Sequence, residues 1–488
     1  MTIRTSPRGY AYSVLVLLAV LRSADAAVGQ QQSQIDTTAA APSTVTTPGD
    51  SDEAATSSTE QGRTPLPDSF QTWREWRIEK RRGAFEDTEF RFNIRTFYFD
   101  QERFDGSVRQ AFTVGGWAGL KTGYFLDHIA FGVTGYTSQK LVGDLDRDGT
   151  SLLKPGQIPY TVLGEAYADI RIIKDLNVYV GRKEFDTPFI NGNDTRMTPN
   201  TFEAVALQGK ISFGANEDKP SPAANEGKTS VDAKEVQASP STNDATLRYG
   251  AGYFDRIKEK NADRFISMSR SAGASVNRGV YTAGALFEKG NFSIGGIDYY
   301  SQDIINIAYA ETKLTLPITA DWKPKLSAQF VDQRSVGEEL LQGGYFSGRQ
   351  FGVKADVPFW KALLTVAYTY TTDGTDLRSP WGGYPGYTSV QVQDFFRAGE
   401  GALLVRGGYD FPKSTGLSVY ALAVFGTKPS DPGQFAQNEY NANLQWSPPE
   451  GVLKGFSLRV RYALVQQDGG DVHDLRDLRV ICNYTHKF

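Results

Sequence analysis

The sequence predicts an all-β fold, a transmembrane antiparallel β-barrel of about 18 strands. Three observations carry that reading. Short runs of alternating polarity follow one another from Phe90 to Phe488. The gaps between them are alternately long and short. The composition is rich in glycine (49) and in aromatics (29 Phe, 24 Tyr, 7 Trp), with one Cys and three Met. A single cysteine rules out a disulfide framework and a cysteine zinc site. A net charge of −4 argues against a general nucleic-acid binder.

The N-terminus reads as an export signal over residues 1–26. Arg4 and Arg8 precede the apolar run Ala11–Leu21, and Ala24-Asp25-Ala26 is a small-x-small cleavage site. No later apolar run reaches the roughly 18 residues a membrane helix needs. An exported chain of this kind is either soluble or spans a membrane as a closed barrel. Residues 27–69 form an extension. Its segment Val28–Leu66 is rich in Gln, Ser, Thr, Ala and Pro and is expected to be disordered, having too little apolar surface to offset ordering entropy. Asp68–Arg81 (DSFQTWREWRIEKR) has a short helical period and is expected as a periplasmic lead-in helix. The barrel then occupies residues 70–488.

Period-2 alternation marks the strands. Phe90, Phe92 and Ile94 alternate with Arg91, Asn93 and Arg95; Phe351, Val353, Ala355 and Val357 face away from Gln350, Lys354 and Asp356; Phe456, Leu458, Val460 and Tyr462 face away from Ser457, Arg459 and Arg461. Most runs have the length of a tilted strand crossing a bilayer core, about 9–13 residues. With the N-terminus inside, Gln139–Ile158, Phe185–Asn200, Ile257–Asn277 and Thr372–Gly401 become long outer loops, while Ile173–Lys174, Lys289–Gly290, Pro358–Phe359 and Pro412–Thr415 become tight inner turns. Asn216–Asp244 breaks the rule. It is polar and long, yet falls on the short-turn side, and is expected as a disordered periplasmic insertion within 214–246. The last strand ends Leu478, Val480, Cys482, Tyr484, His486, Phe488 at alternate positions, an ending that resembles the terminal signal read by the barrel assembly machinery.

Lipid-facing charges are costly, so strand charges should point inward. That parity places Arg91 and Arg95 on the first strand, Arg479 on the last, Arg459 and Arg461 on the one before, and Arg406 a few strands back, all in the lumen. Closure makes the first, last and penultimate strands neighbours, so these residues form a wall of arginines. Glu165, Asp169, Asp298 and Asp410 are expected as inward acids elsewhere. Such a field attracts carboxylates, which arginine binds with two parallel hydrogen bonds. The alternative for any one arginine is solvation of the lumen and pairing with an acid.

Two longer segments carry a family resemblance. Asn193-Asp194-Thr195-Arg196-x-x-Pro199-x-Thr201-Phe202-Glu203 resembles the third-loop motif of OprD-type outer-membrane porins. "SPWGGYPGYTSVQVQDFFRAGE", with Tyr384, Asp394 and Arg397, resembles the seventh-loop region of the same family. The resemblance implies an 18-stranded barrel of the Gram-negative outer membrane, monomeric or weakly trimeric, whose third and seventh loops fold into the lumen and form a constriction. It implies passage of amino acids, peptides or small organic acids by facilitated diffusion, with no cofactor and no enzymatic step. The candidate translocation residues are Asn193, Asp194, Arg196, Tyr384, Asp394 and Arg397 from the loops, and Arg91, Arg95, Arg406, Arg459, Arg461 and Arg479 from the wall. Arg196 either pins its loop to an acid or faces the pore. The expected partners are small solutes, chiefly carboxylates, and outer-membrane lipid.

Other readings have less support. A barrel hydrolase would need a Ser–His or Asp–His pair, and His128, His473 and His486 sit apart in turns or at the terminus. A structural or adhesive barrel with a plugged lumen is the third alternative. Asp144, Asp146 and Asp148 open like a calcium loop, but Pro155 stands where the bidentate Glu belongs.

Overall fold

The computed structural model describes residues 73–214, 245–320, 322–341, 344–470 and 473–488. The expected signal segment, the extension and nearly all of the 214–246 insertion lie outside these residues; Ala245 and Thr246 already belong to a strand.

Eighteen antiparallel strands form one closed sheet. They are β1 (Glu89–Glu102), β2 (Val108–Lys121), β3 (Ile129–Val142), β4 (Tyr160–Ile173), β5 (Leu176–Lys183), β6 (Thr201–Phe213), β7 (Ala245–Lys258), β9 (Val280–Lys289), β10 (Phe292–Ser301), β11 (Ile305–Thr315), β12 (Lys325–Ser335), β13 (Ser347–Phe359), β14 (Ala362–Thr371), β15 (Gly401–Asp410), β16 (Leu417–Gly426), β17 (Gln437–Trp446), β18 (Phe456–Gln467) and β19 (Leu475–Lys487). The two-residue strand β8 (Ile266–Ser267) lies in a loop and pairs only with the end of β7. Closure is made by β1 on β19, with Arg95 opposite Asn483 and Phe99 opposite Arg479. Closure pairs every interior backbone group and leaves no edge, the condition for crossing hydrocarbon with strands. Among the described residues no helix is long and apolar enough to cross a membrane.

The pleat sorts side chains as the alternation predicts. Phe90, Ile94, Phe131, Val133, Phe351 and Val353 are exposed on the outer surface. Asn93, Phe97, Phe99, Asp477 and Arg479 are buried on the inner one. Asp298 is a correction. It shares the parity of the exposed Phe292, Ile294 and Tyr300 and so faces outward. There Asn306 of β11 donates to both its oxygens, at 2.9 and 3.0 Å. It lies three residues from the long-loop end of β10, where the cost of an outward charge falls toward zero.

Long connections gather at one end: residues 143–159, 184–200, 259–279 and 372–400. The other end carries the tight turns 174–175, 290–291 and 360–361. Phe213 and Ala245, which flank the undescribed segment, pair with each other at the short-turn end. The helix before the barrel is described from Trp73 to Glu86 and runs past Arg81, where its sequence period ends; the expected first residues, 68–72, lie outside the described residues. Its last turn is held by a tertiary contact: the Gly123 N–H, in the β2–β3 turn, donates to the Ala84 carbonyl at 2.9 Å.

Candidate functional site

The loop 184–200, here L3, leaves the rim and crosses the lumen. Its first anchor is apolar. Phe189 and Ile190 are fully buried, and the Phe189 ring meets Tyr299, Tyr309 and Tyr384 with centroids 5.8, 6.3 and 5.9 Å away. Thr187 closes a tight turn there, and its hydroxyl accepts from Tyr299 at 2.9 Å. Asn193 has φ 42°, a left-handed conformation that asparagine tolerates. At Gly192 a Cβ would lie 2.2 Å from Glu184 Oε1, so a side chain there would displace the Glu184 carboxylate. The second anchor is ionic. Arg95 of β1 grips Asp194 with both ends of its guanidinium, Nη1–Oδ1 2.5 Å and Nη2–Oδ2 2.8 Å. It also donates to the Arg196 carbonyl at 2.6 Å and to Asn483 at 2.7 Å. L3 is therefore a strap fastened to β10 and β11 on one side and to β1 on the other.

The loop 372–400, here L7, also folds into the lumen, anchored on β11, β13, β17 and β19. Trp381 is fully buried and donates to the Met268 carbonyl at 2.8 Å. Tyr384 donates to Gln350 of β13 at 2.7 Å, and Tyr387 to Glu311 of β11 at 2.8 Å. Further along, the Val392 and Gln393 N–H groups donate to the Glu439 carboxylate of β17, at 3.0 and 2.7 Å. Gln391 donates to Asp477 of β19 at 2.7 Å. Phe395 adopts φ 49°, a strained conformation for an aromatic residue, and is buried against Ala367, Ala402, Leu404 and Val424. Besides the Phe189–Tyr384 ring contact, one side chain clasps the two loops by hydrogen bonds. Asn191 donates to the Gly383 carbonyl at 3.0 Å and accepts from its N–H at 2.8 Å.

Where L3 passes β1 and β19 the positive charges converge. Arg196 donates to the carbonyls of Thr150 (2.7 Å) and Thr195 (2.8 Å). Its guanidinium lies 5.0 Å from the Phe99 ring centroid, and that of Arg479 lies 5.1 Å from the same ring. Burial, then the charges of Arg479 and Arg461, push Arg196 down to about 9, so it stays cationic at neutral pH. Lys260, from the loop 259–279, donates to Thr195 at 3.4 Å. Burial and the charges of Arg196 and Arg479 push it down to about 7, against the pull of Asp394. Asp394 itself is raised by burial and accepts from Ser389 at 2.5 Å.

The twelve residues expected at the site divide by their partners. Arg95 and Asp194 pair with each other. Arg479 is buried, with its fork on Asp477 at 2.7 and 2.9 Å. Arg397 pairs within its own loop with Glu400, at 2.5 Å. Arg91 pairs with Glu89 on its own strand. Tyr384 is buried on Gln350, and half-buried Asn193 holds a left-handed turn of L3. Arg406 lies 4.0 Å over the Tyr420 ring. Arg459 donates to Asn443 at 2.7 Å, and Arg461 Nε is buried with no hydrogen-bond partner among the described residues. Arg196, Arg459 and Arg461 have no carboxylate within ion-pair distance among those residues. The sequence reading passed over Phe99, Lys260 and Asp477. Only Asp477 left a usable signal, since two residues before Arg479 places it on the same strand face.

The fold has counterparts among proteins of known structure. The OprD outer-membrane porin family model matches residues 82–211 and 239–488. Pseudomonas aeruginosa OccK9 (OpdG) superposes with TM-score 0.68 at 20% identity, covering 83% of this chain and all of that one. A BenF-like porin from Pseudomonas fluorescens Pf-5 gives 0.68 at 18% identity, with the same coverage. Pseudomonas aeruginosa OpdK, solved with vanillate, gives 0.66 at 16% identity, again over 83% of this chain and the whole of the other. At these identities the structures establish the fold alone. No curated protein matches the chain. The family match over most of its length, on a closed 18-stranded barrel, identifies this protein as a member of the OprD family of outer-membrane porins, a channel for small solutes.

Proposed function

We propose that the channel is selective for small carboxylates, amino acids or other organic acids, and that Arg196, Arg459 and Arg461 guide them through the gap between L3, L7 and the β18–β19 wall. The observation that carries this reading is that, among the described residues, no carboxylate lies within ion-pair distance of these three cations, while Arg95, Arg397 and Arg479 each have one. A guanidinium already forked onto a carboxylate has little left for a solute. One held only by carbonyls, an amide or a ring keeps donors for it. The vanillate in the OpdK structure is in keeping with this class of solute. No energy source is required, because solutes move down their gradient.

Liposome swelling tests the reading. Arg459→Ala with Arg461→Ala should slow entry of carboxylates about tenfold relative to neutral solutes of the same size, one charge-assisted hydrogen bond being worth about 1.5–3 kcal/mol before solvent screening. An equal effect on both solute classes would refute the field argument.

A further inference from the structure

We propose that the helix Trp73–Glu86 is an interfacial anchor, seated on the anionic lipid headgroups of the leaflet on the short-turn side. Its position supports this first. The helix lies along the β2–β3 turn, residues 122–128, held by the Gly123–Ala84 hydrogen bond and by Lys80 on Asp127 at 2.8 Å. Ala84 is buried, and a Cβ at Gly123 would meet its Cα at 3.1 Å, so the contact is close. In that turn Tyr124 points inward, donating to the lumenal Asp169 at 2.8 Å. Its neighbour Phe125 points the other way, onto Phe131, with centroids 6.0 Å apart. Phe131 belongs to the lipid-facing set of β3. Phe85 of the helix packs edge-on against Phe125 at 5.2 Å. A line of three aromatic rings thus joins the helix to the surface of the barrel that meets hydrocarbon.

The composition of the free face supports it second. At about 100° per residue, Arg77, Arg81, Phe85, Ile78 and Arg82 share an arc of about 140°. Ala84 and Lys80, which bond to the β2–β3 turn, lie outside that arc, Glu79 and Glu86 flank its other side, and within it Phe85 touches the turn, through Phe125. Ile78 and Phe85 are 55% and 67% exposed. Arg77, Arg81 and Arg82 are also exposed, and Arg82 pairs with Glu86 at 2.8 Å. Two large apolar side chains among three arginines, next to a lipid-facing surface, match a headgroup layer carrying phosphates. The apolar pair sits at the acyl boundary and the guanidiniums bind phosphate oxygens. The area is small and the helix is already covalently tied to β1, so the contact fixes an orientation and does not have to recruit the protein.

The test uses the full chain with Cys482→Ser and Ile78→Cys, spin-labelled at residue 78 and reconstituted into phosphatidylcholine vesicles with or without phosphatidylglycerol. Heat-modifiable electrophoretic migration reports that the barrel is folded. With phosphatidylglycerol present, the label should become severalfold more accessible to oxygen and less so to a water-soluble nickel chelate. Arg77→Gln with Arg81→Gln should remove that difference. High salt should weaken it in the unsubstituted helix, which separates lost charge from a lost helix. A label equally open to the nickel chelate in both lipids, or a difference that survives both the substitutions and the salt, would overturn the proposal.

Discussion

Arg95 separates two roles that a lumenal arginine can play. As a fastener it holds L3 against β1; as a solute contact it would need free donors. Five of its hydrogen bonds go to protein atoms, two of them to Asp194. The paired side chains retain 11% and 20% exposure. Removing one member of a fully buried pair costs about 3–5 kcal/mol, chiefly because the other charge is stranded. Asp194 keeps some water, so Arg95→Met should weaken the closed strap by about 2–4 kcal/mol, or about 30- to 900-fold in the closed-to-open equilibrium. Single-channel recording in planar bilayers should show larger mean conductance and more open-state noise. Arg95→Met with Asp194→Leu should return both toward the starting values, since replacing both members of such a pair by apolar groups is close to neutral. An unchanged conductance in Arg95→Met refutes the fastener. So does a double variant as noisy as the single one.

Two further predictions concern the same strap. Burial, then the charges of Asp194 and Glu165, push the Glu184 carboxyl up to about 8. The folded value exceeds the ordinary one near 4.5, so the folded loop holds a proton that the unfolded chain releases. Its stabilising share is complete below that ordinary value and is lost as the pH rises to about 8. Channel noise should therefore grow between about pH 6 and 9, and Glu184→Gln should flatten the profile; a profile that the substitution leaves unchanged assigns the titration elsewhere. Asn191→Ala removes both hydrogen bonds to Gly383. It should loosen L3 from L7 by about 1–3 kcal/mol, read as more frequent transitions between conductance levels, and a quiet channel would show that the apolar anchor at Phe189 suffices.

The barrel was legible in the sequence because lipid imposes a one-sided rule. An outward position must be apolar near the midplane, so the alternation at Phe90, Phe92 and Ile94 could be read without knowing any neighbour. That rule weakens toward the rim, and Asp298, near the end of β10 and bound by Asn306, is where the parity reading failed. The end of the helix was misplaced for another reason. The helix runs past Arg81 to Glu86, where Ala84 meets Gly123, a contact between segments that no local period encodes.

The site was legible as a set of charges and not as a set of partners. Arg95 and Asp194 are 99 residues apart, and nothing in either segment names the other. Asp477 and Arg479 are two apart on one strand face, so that pair could have been read from the same alternation that placed the arginine. Arg196 fits neither simple role. Among the described residues no acid lies within ion-pair distance of it; carbonyls and the Phe99 ring hold it, beside the charges of Arg479 and Lys260. Pinning by neutral groups is what lets one residue fasten a loop and still present a field. Had an aspartate taken the place of the Thr150 and Thr195 carbonyls, the strap would be tighter and the attraction for an anionic solute would be gone.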